Sequence, residues 1–189
     1  MTALLWLLGL LALARLTELA VSNRNRKSHP KARLLKEPLF FWMVLLHAAF
    51  FAALPAEHYW LGGTFGGWLS WLAVAVTALA FALRFWTLAT MGRSWNVRVV
   101  YGKDYPIVAH GPYRYIRHPN YAVVLLELAF IPLIFHLYWS AAILTTANFL
   151  VLRIRIRNEE AVLFQNPDWV KKMAPKPRFL PRFGFGKSE

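Results

Sequence analysis

Hydropathy patterning confines this chain to a bilayer. Apolar residues run almost unbroken over 3–21, 39–54 and 68–88, and two further runs, 121–135 and 138–152, are separated only by His136 and Leu137. Crossing the hydrocarbon core takes roughly 20 apolar residues. The first three runs approach that length on their own. The last two are individually short and jointly too long for one crossing, so Pro132 and the His136 neighbourhood mark a tight turn between antiparallel helices. With 58% hydrophobic and 16% charged residues, the chain has too little polar surface for a soluble domain of its size. The expected architecture is one all-α integral membrane domain over 1–189. It has about five transmembrane helices: three within 1–90, then a loop, a helical hairpin and a C-terminal segment within 91–189.

Charge orients that domain. The formal net charge is +13, yet the cations are not spread evenly. The first connection carries Arg24, Arg26, Lys27, Lys31, Arg33 and Lys36, and the third carries Arg93, Arg98, Lys103, Arg114 and Arg117. Nine more lie from Arg153 onward, so that 20 of the 22 Lys and Arg residues fall on alternate connections. The second connection and the hairpin tip carry none, and Arg15 and Arg84 lie within helices. Basic connections stay in the cytosol, which puts the N-terminus outside and the C-terminus inside. Only Met1 and Thr2 precede the first apolar run and the basic cluster follows it, the reverse of a signal peptide, so a retained helix is expected. Nucleic acid is not an expected partner. Its binders gather charge in a patch on a soluble domain, whereas here it lines the membrane–cytosol boundary, facing anionic lipid.

Several motifs carry no chemistry. Gly62, Gly63, Gly66 and Gly67 form a glycine-rich stretch with no strand before it, which reads as a flexible loop on the outer side. Gly186-Lys187-Ser188 imitates the end of a phosphate-binding loop, but Pro181 stands where that loop needs glycine. No His and carboxylate cluster has metal-ligand spacing. There is no cysteine, which excludes disulfides and thiolate chemistry.

Two polar blocks remain. One is 111–121, with Gly111, Tyr113, Tyr115, Arg117, His118, Pro119 and Tyr121; the other is 153–160, with Arg155, Glu159 and Glu160. A hairpin brings both to one cytosolic foot, and Pro119 suits a first helical turn. Aromatic rings there can face a heteroaromatic ring or a sulfonium cation, the two glutamates can face a cation, and Arg155 can hold an anionic oxygen. Composition leaves a plainer reading open: basic residues and tyrosines also anchor helix ends at the interface.

At these blocks the sequence resembles the isoprenylcysteine carboxyl methyltransferase family. Gly111-Pro112-Tyr113, Arg117-His118-Pro119-Asn120-Tyr121 and Arg155 through Glu160 carry the likeness, together with Gly92-Arg93-Ser94-Trp95-Asn96, over about residues 90–165. Phospholipid methyltransferases and some membrane sterol reductases look similar at the Arg-His-Pro motif, which leaves phospholipid N-methylation and a non-catalytic relative as alternatives. The resemblance implies S-adenosylmethionine as cofactor, held by Ile107, Val108, Gly111, Tyr113, Arg117, His118, Pro119, Tyr121 and Glu160, with Arg155 and Glu159 catalytic. Tyr105 stands where the family usually has histidine, and Val123 where a glycine often follows. Arg15-Leu16-Thr17-Glu18-Leu19, Ser22-Asn23-Arg24-Asn25 and Leu46-His47, with Glu127, resemble a bacterial branch that O-methylates long-chain alkylpyrones. That branch implies the cytoplasmic membrane, a lipophilic acceptor and a functional link to a type III polyketide synthase.

Within the apolar runs, Arg15 and Glu18 are spaced to pair on one helix face, and Arg84 is expected to snorkel toward the cytosolic interface. Glu18, His47 and Glu127 are candidates for contacting the acceptor, with packing between helices as the competing role. Asn148 is expected to be a packing residue.

Overall fold

The computed structural model describes residues 1–29, 32–35, 39–102 and 105–181. Lys31, Lys36, Lys103 and the Gly186-Lys187-Ser188 tripeptide lie outside them. The helices are α1 (Thr2–Lys27), α2 (Phe40–Glu57, prolonged by a π turn, His58–Gly62) and α3 (Gly67–Met91). After a long connection come α4 (Pro119–Leu133), α5 (Tyr138–Leu163) and the short α6 (Pro167–Met173). Among the described residues the only strands form a two-residue antiparallel pair, β1 (Arg33–Leu34) with β2 (Val100–Tyr101). It ties the first connection to the third because both leave the bundle at the same end.

Among the described residues four helices are long and apolar enough to cross a membrane: Thr2–Lys27, Phe40–Gly62, Gly67–Ser94 and Tyr138–Leu163. The expected fifth crossing is short. At 15 residues α4 extends about 22 Å against a hydrocarbon core of about 30 Å. Pro119 sets its start, and the chain reverses directly after Leu133. His136 takes a left-handed φ of 57°, and the Pro132 carbonyl receives the amides of Phe135 and Leu137, each at 3.0 Å. Its antiparallel partner α5 has 26 residues and so outruns it by roughly 16 Å. That excess of α5, from Arg155 onward, faces the open space above the start of α4. The mismatch makes room for a site.

At the opposite end the hairpin tip is held by three elements. Glu57 accepts the Trp139 and Ser140 amides at 3.0 and 2.6 Å, satisfying donors that the first turn of α5 leaves unpaired. Ser70 donates to the Ile134 carbonyl at 2.8 Å. The glycine-rich stretch expected to be a flexible loop is anchored there too, its Thr64 amide donating to Phe135 O at 3.2 Å.

Two apolar clusters fill the bundle. The larger, near the tip, includes Leu4, Leu8, Phe50, Leu54, Leu128, Ile131 and Leu144; the smaller, at the site end, holds Tyr121, Leu152 and Ile156. The inward stripe of α1 (Leu4, Leu8, Leu11, Ser22, Asn25) follows helical spacing. At its site end it docks by polar bonds: Asn25 Nδ2 donates to the Gly92 and Trp95 carbonyls at 3.0 and 2.8 Å. The Val97 amide donates to Ser22 Oγ at 2.9 Å.

Between α1, α3 and α4 lies a closed ion cluster. Arg15 pairs with Glu18 as its spacing predicts, at 2.8 Å, and also with Glu127 at 2.7 Å. Arg84 reaches both carboxylates, Glu18 at 2.9 Å and Glu127 at 2.7 Å. Snorkelling of Arg84 is thus overturned: its side chain is 8% exposed, because two buried carboxylates solvate it better than a stretched route to the interface would. His47 turns to its own helix, Nδ1 lying 2.8 Å from Met43 O. Asn148 is fully buried, and neither side-chain amide atom has a hydrogen-bond partner among the described residues.

Candidate active site

A cavity of about 850 Å³ opens at the end of the bundle where α4 begins. Its walls are the connection between α3 and α4, the end of α5, and α6. Two sequence features build the connection. Gly92 and Gly111 take positive φ values of 48° and 58°, and each opens a single 3-10 turn, Gly92–Ser94 directly after α3 and Gly111–Arg114 after an extended His110. Between them Tyr105 donates to Ser94 O at 2.7 Å and accepts from Asn96 Nδ2 at 3.0 Å, folding the connection back on itself. Burial raises the Tyr105 phenol above its ordinary value.

Gly111 has no room for a side chain. A Cβ there would meet Thr90 Oγ1 at 2.3 Å, and φ is left-handed, a conformation costing about 1–2 kcal/mol for other residues. Gly111→Ala is expected to lower stability in detergent by about 2 kcal/mol or more. In the Gly111→Ala, Thr90→Ala double variant only the backbone part of the loss, about 1 kcal/mol, should remain. Thermal unfolding of the two variants separates these terms.

The cavity floor joins the two blocks. Arg155 lies with its guanidinium 5.3 Å from the Tyr121 ring centroid, donates through Nη2 to Val97 O at 2.7 Å, and touches Met43 Sδ through Nη1. The Tyr121 hydroxyl donates in turn to Glu159. One tyrosine therefore touches both residues expected to be catalytic, by its face and by its hydroxyl. Tyr113 donates to Met91 Sδ at 2.9 Å. Burial pushes its phenol well up, with Glu159 and Tyr105 adding to the rise, so it stays protonated and acts as donor and wall, not as base.

Glu160, the second glutamate, faces away from the cavity. Its carboxylate, 6% exposed, is held by Arg117 at 3.1 Å, His118 Nε2 at 3.0 Å and Arg178 at 2.6 Å. The charge that sequence alone offered to a ligand cation is already balanced within the protein. The His118 ring also stacks on Tyr121, centroids 5.3 Å apart, so the arrangement stiffens the first turn of α4.

Of the residues expected to bind cofactor, Ile107, Val108, Tyr113, Arg117, His118 and Tyr121 border the cavity, as do Arg155 and Glu159. Gly111, Pro119 and Glu160 stand behind its wall and support it. Glu18, His47 and Glu127 lie deeper in the bundle and do not border it. Nearest of the three is His47, one helical turn from the Met43 that touches Arg155. Sequence reasoning missed Arg98, Asn120, Trp169 and Met173, all in the wall. A signal for the last two existed. Asn166-Pro167-Asp168 is a helix start, and Asn166 Oδ1 caps α6 by accepting the Asp168 and Trp169 amides at 3.0 and 3.3 Å.

A bundle of apolar helices with a polar cavity at one end, formed where a short helix meets a long one, defines a membrane-embedded protein with an enzyme-like site. The chain belongs to the isoprenylcysteine carboxyl methyltransferase (ICMT) family, whose profile matches residues 71–165. Its class is accordingly that of membrane methyltransferases. It is 32% identical over 162 residues to the uncharacterized protein YpbQ of Bacillus subtilis, covering 84% of this chain and 95% of that one. An uncharacterized protein of Haemophilus influenzae is 24% identical over 156 residues, 79% of this chain and 88% of its own. Among solved structures, the eukaryotic intramembrane Ras methyltransferase ICMT matches with a TM-score of 0.53 at 23% identity, a likeness of fold. That match covers 70% of this chain, which spans half the length of that enzyme.

Proposed function

We propose that this protein is an S-adenosylmethionine-dependent O-methyltransferase. Its acceptor is a carboxyl or acidic enol on a lipophilic molecule, such as a long-chain alkylpyrone-like polyketide or a prenylcysteine-like lipid. The observation that carries the reading is the Arg155–Tyr121–Glu159 arrangement on the floor of a cavity large enough for a cofactor, placed at the level where the shortened α4 begins. With the hairpin tip outside, that level lies about 20–25 Å into the bundle. It is near the inner membrane boundary, where an amphiphile presents its polar head. Basic connections at this end support a site that faces the cytosol, and the bacterial-branch resemblance supports the cytoplasmic membrane as its location and a type III polyketide synthase as source of its substrate.

The residues present fit such a cofactor. Pockets for molecules of this size run about 300–1,000 Å³. The cavity wall holds buried polar atoms without partners among the described residues: Trp95 Nε1, Arg98 Nε, Arg117 Nε and Asn120 Oδ1. Arg98 supplies the charge a carboxylate needs and Arg117 Nε a further donor, Asn120 and Trp95 suit hydroxyl and ring-nitrogen groups, and Ile107 and Val108 border the cavity where an adenine would lie. When bound, S-adenosylmethionine supplies an electrophilic methyl group on a sulfonium.

The protein's own part is positioning. A carboxylate or acidic enolate is already a nucleophile at neutral pH, so no strong base is required, and Tyr113 and Tyr121 remain hydroxyl donors. Arg155 orients the acceptor oxygen with a charge-assisted bond. Glu159 sets the field around Arg155 through Tyr121. Oriented reactions of this kind gain effective molarities of about 10⁵–10⁸ M. The test is methyl transfer from labelled S-adenosylmethionine by the purified protein to long-chain alkylpyrones, prenylcysteines and phosphatidylethanolamine, with products resolved by mass spectrometry. A methyl ester or ether is expected. A methylamine, or calorimetry showing no cofactor binding, would overturn the proposal.

A further inference from the structure

We infer that residues 174–181 clamp the 109–118 stretch against α5 from behind the cavity wall, with Lys176 and Arg178 as positioning residues that set the shape of the cofactor site. The inference rests on the cavity being the cofactor site. The family match ends at residue 165, yet the cavity is not closed there. α6 supplies Trp169 and Met173, 7% and 2% exposed, as its apolar wall.

Beyond α6 the chain turns back over the stretch that connects to α4, behind the cavity wall. Lys176 Nζ donates to Tyr113 O at 2.7 Å and to Ala109 O at 3.4 Å. Both carbonyls belong to the stretch that follows Ile107 and Val108. The next residues continue the contact through backbone, Pro177 O accepting the Arg117 amide at 2.9 Å and Arg178 O the His118 amide at 3.1 Å. Arg178 then closes onto Glu160 of α5, with Nη2 at 2.6 Å and Nε at 3.2 Å, and Phe179 packs against the Tyr121 cluster. One tail thus pins the loop on one side of the cavity to the helix on the other.

The strength of these pins favours a clamp over fixed scaffolding. Arg178 is 48% exposed while Glu160 is 6% exposed. Water can replace the arginine without unfolding anything, whereas the carboxylate keeps Arg117 and His118. Lys176 holds two neutral carbonyls, and no carboxylate lies within ion-pair distance of it among the described residues. Tyr113, Arg117 and His118, which the tail holds, border the cavity, so loosening the tail shifts the wall against which the cofactor would bind.

The experiment compares Lys176→Met and Arg178→Met in the full chain with Lys171→Ala, an exposed residue on α6, as control. The Michaelis constant for S-adenosylmethionine is expected to rise about tenfold in each of the two variants. That for the lipid acceptor should change less than about twofold, and Arg178→Lys should recover part of the loss because the charge is kept. Hydrogen exchange gives an independent readout in cofactor-free protein. The Arg117 and His118 amides are expected to exchange about tenfold faster in both variants than in the control. Equal rises in both Michaelis constants, or unchanged exchange at these amides, would overturn the clamp. If wild-type protein binds no cofactor, the cofactor reading fails, and the exchange rates still decide whether the tail pins the loop.

Discussion

Arg155→Ala is expected to lower methyl transfer by about 10²–10³-fold, the usual cost of losing one preorganised donor at a reacting oxygen, with cofactor affinity nearly unchanged. The expectation follows from where the guanidinium is held. Val97 O, Met43 and the Tyr121 ring fix it on the cavity floor before any ligand arrives, so no orientation has to be gained during the reaction. Arg155→Lys should recover little, since a lysine cannot present a planar fork, lie over the tyrosine ring and reach Val97 O together. Tyr121→Phe separates the two halves of the arrangement. It keeps the ring under Arg155 and removes the hydroxyl that meets Glu159; a loss of about tenfold is expected, as for one hydrogen bond to a charged group. Single-turnover rates with saturating cofactor, beside calorimetric affinities, measure these effects. Arg155→Ala or Glu159→Ala protein with wild-type rates would remove the basis for the assigned roles.

The hairpin and the level of its site could be read from residue types. Pro119, Pro132 and the apolar runs beside His136 bound α4 and α5, and charge alternation put both polar blocks at one end. Sequence marked the α4 run as short but did not show that α5 would continue as one helix to Leu163, well past the apolar run that ends at Leu152, because the polar block 153–160 reads as the foot of the hairpin. Tyr121, Arg155 and Glu159 were legible through motif spacing. Their mutual geometry was not, since residues 34 and 38 positions apart meet only after the hairpin closes. The role of Glu160 was misread for a related reason. Its partner Arg178 lies in a tail whose basic residues look, in sequence, like any positive cytosolic segment. The ion cluster was half visible: Arg15 and Glu18 are three residues apart, whereas Arg84 and Glu127 reach them from other helices.

That cluster carries the largest stability effect. Glu127→Ala is expected to cost about 3–5 kcal/mol, the typical result of breaking a buried ion pair by removing one partner. The loss exceeds the bonds themselves. It leaves Arg15 and Arg84 facing Glu18 alone, a net positive charge among apolar helices where an unpaired ion is expensive. Arg84→Ala errs in the opposite sense, leaving Glu18 and Glu127 with only Arg15, which is 22% exposed and the least shielded of the four. Replacing one charge of each sign, Arg84→Met with Glu127→Leu, restores balance. The remaining Arg15–Glu18 pair is local to α1, and the new side chains fill the vacated volume. The double variant is expected to regain most of the stability lost by either single variant, because replacing buried pairs with apolar residues is often neutral or better. Thermal unfolding of all three in one detergent measures this. A double variant as unstable as the worse single one would show that the cluster acts by specific cross-helix bonding of α1, α3 and α4. Methyl transfer by the double variant adds a second readout: neither residue borders the cavity, so activity per folded molecule should stay within about threefold of wild type, as for distant independent sites. A large selective loss with stability restored would instead place the Arg84–Glu127 pair in contact with the acceptor.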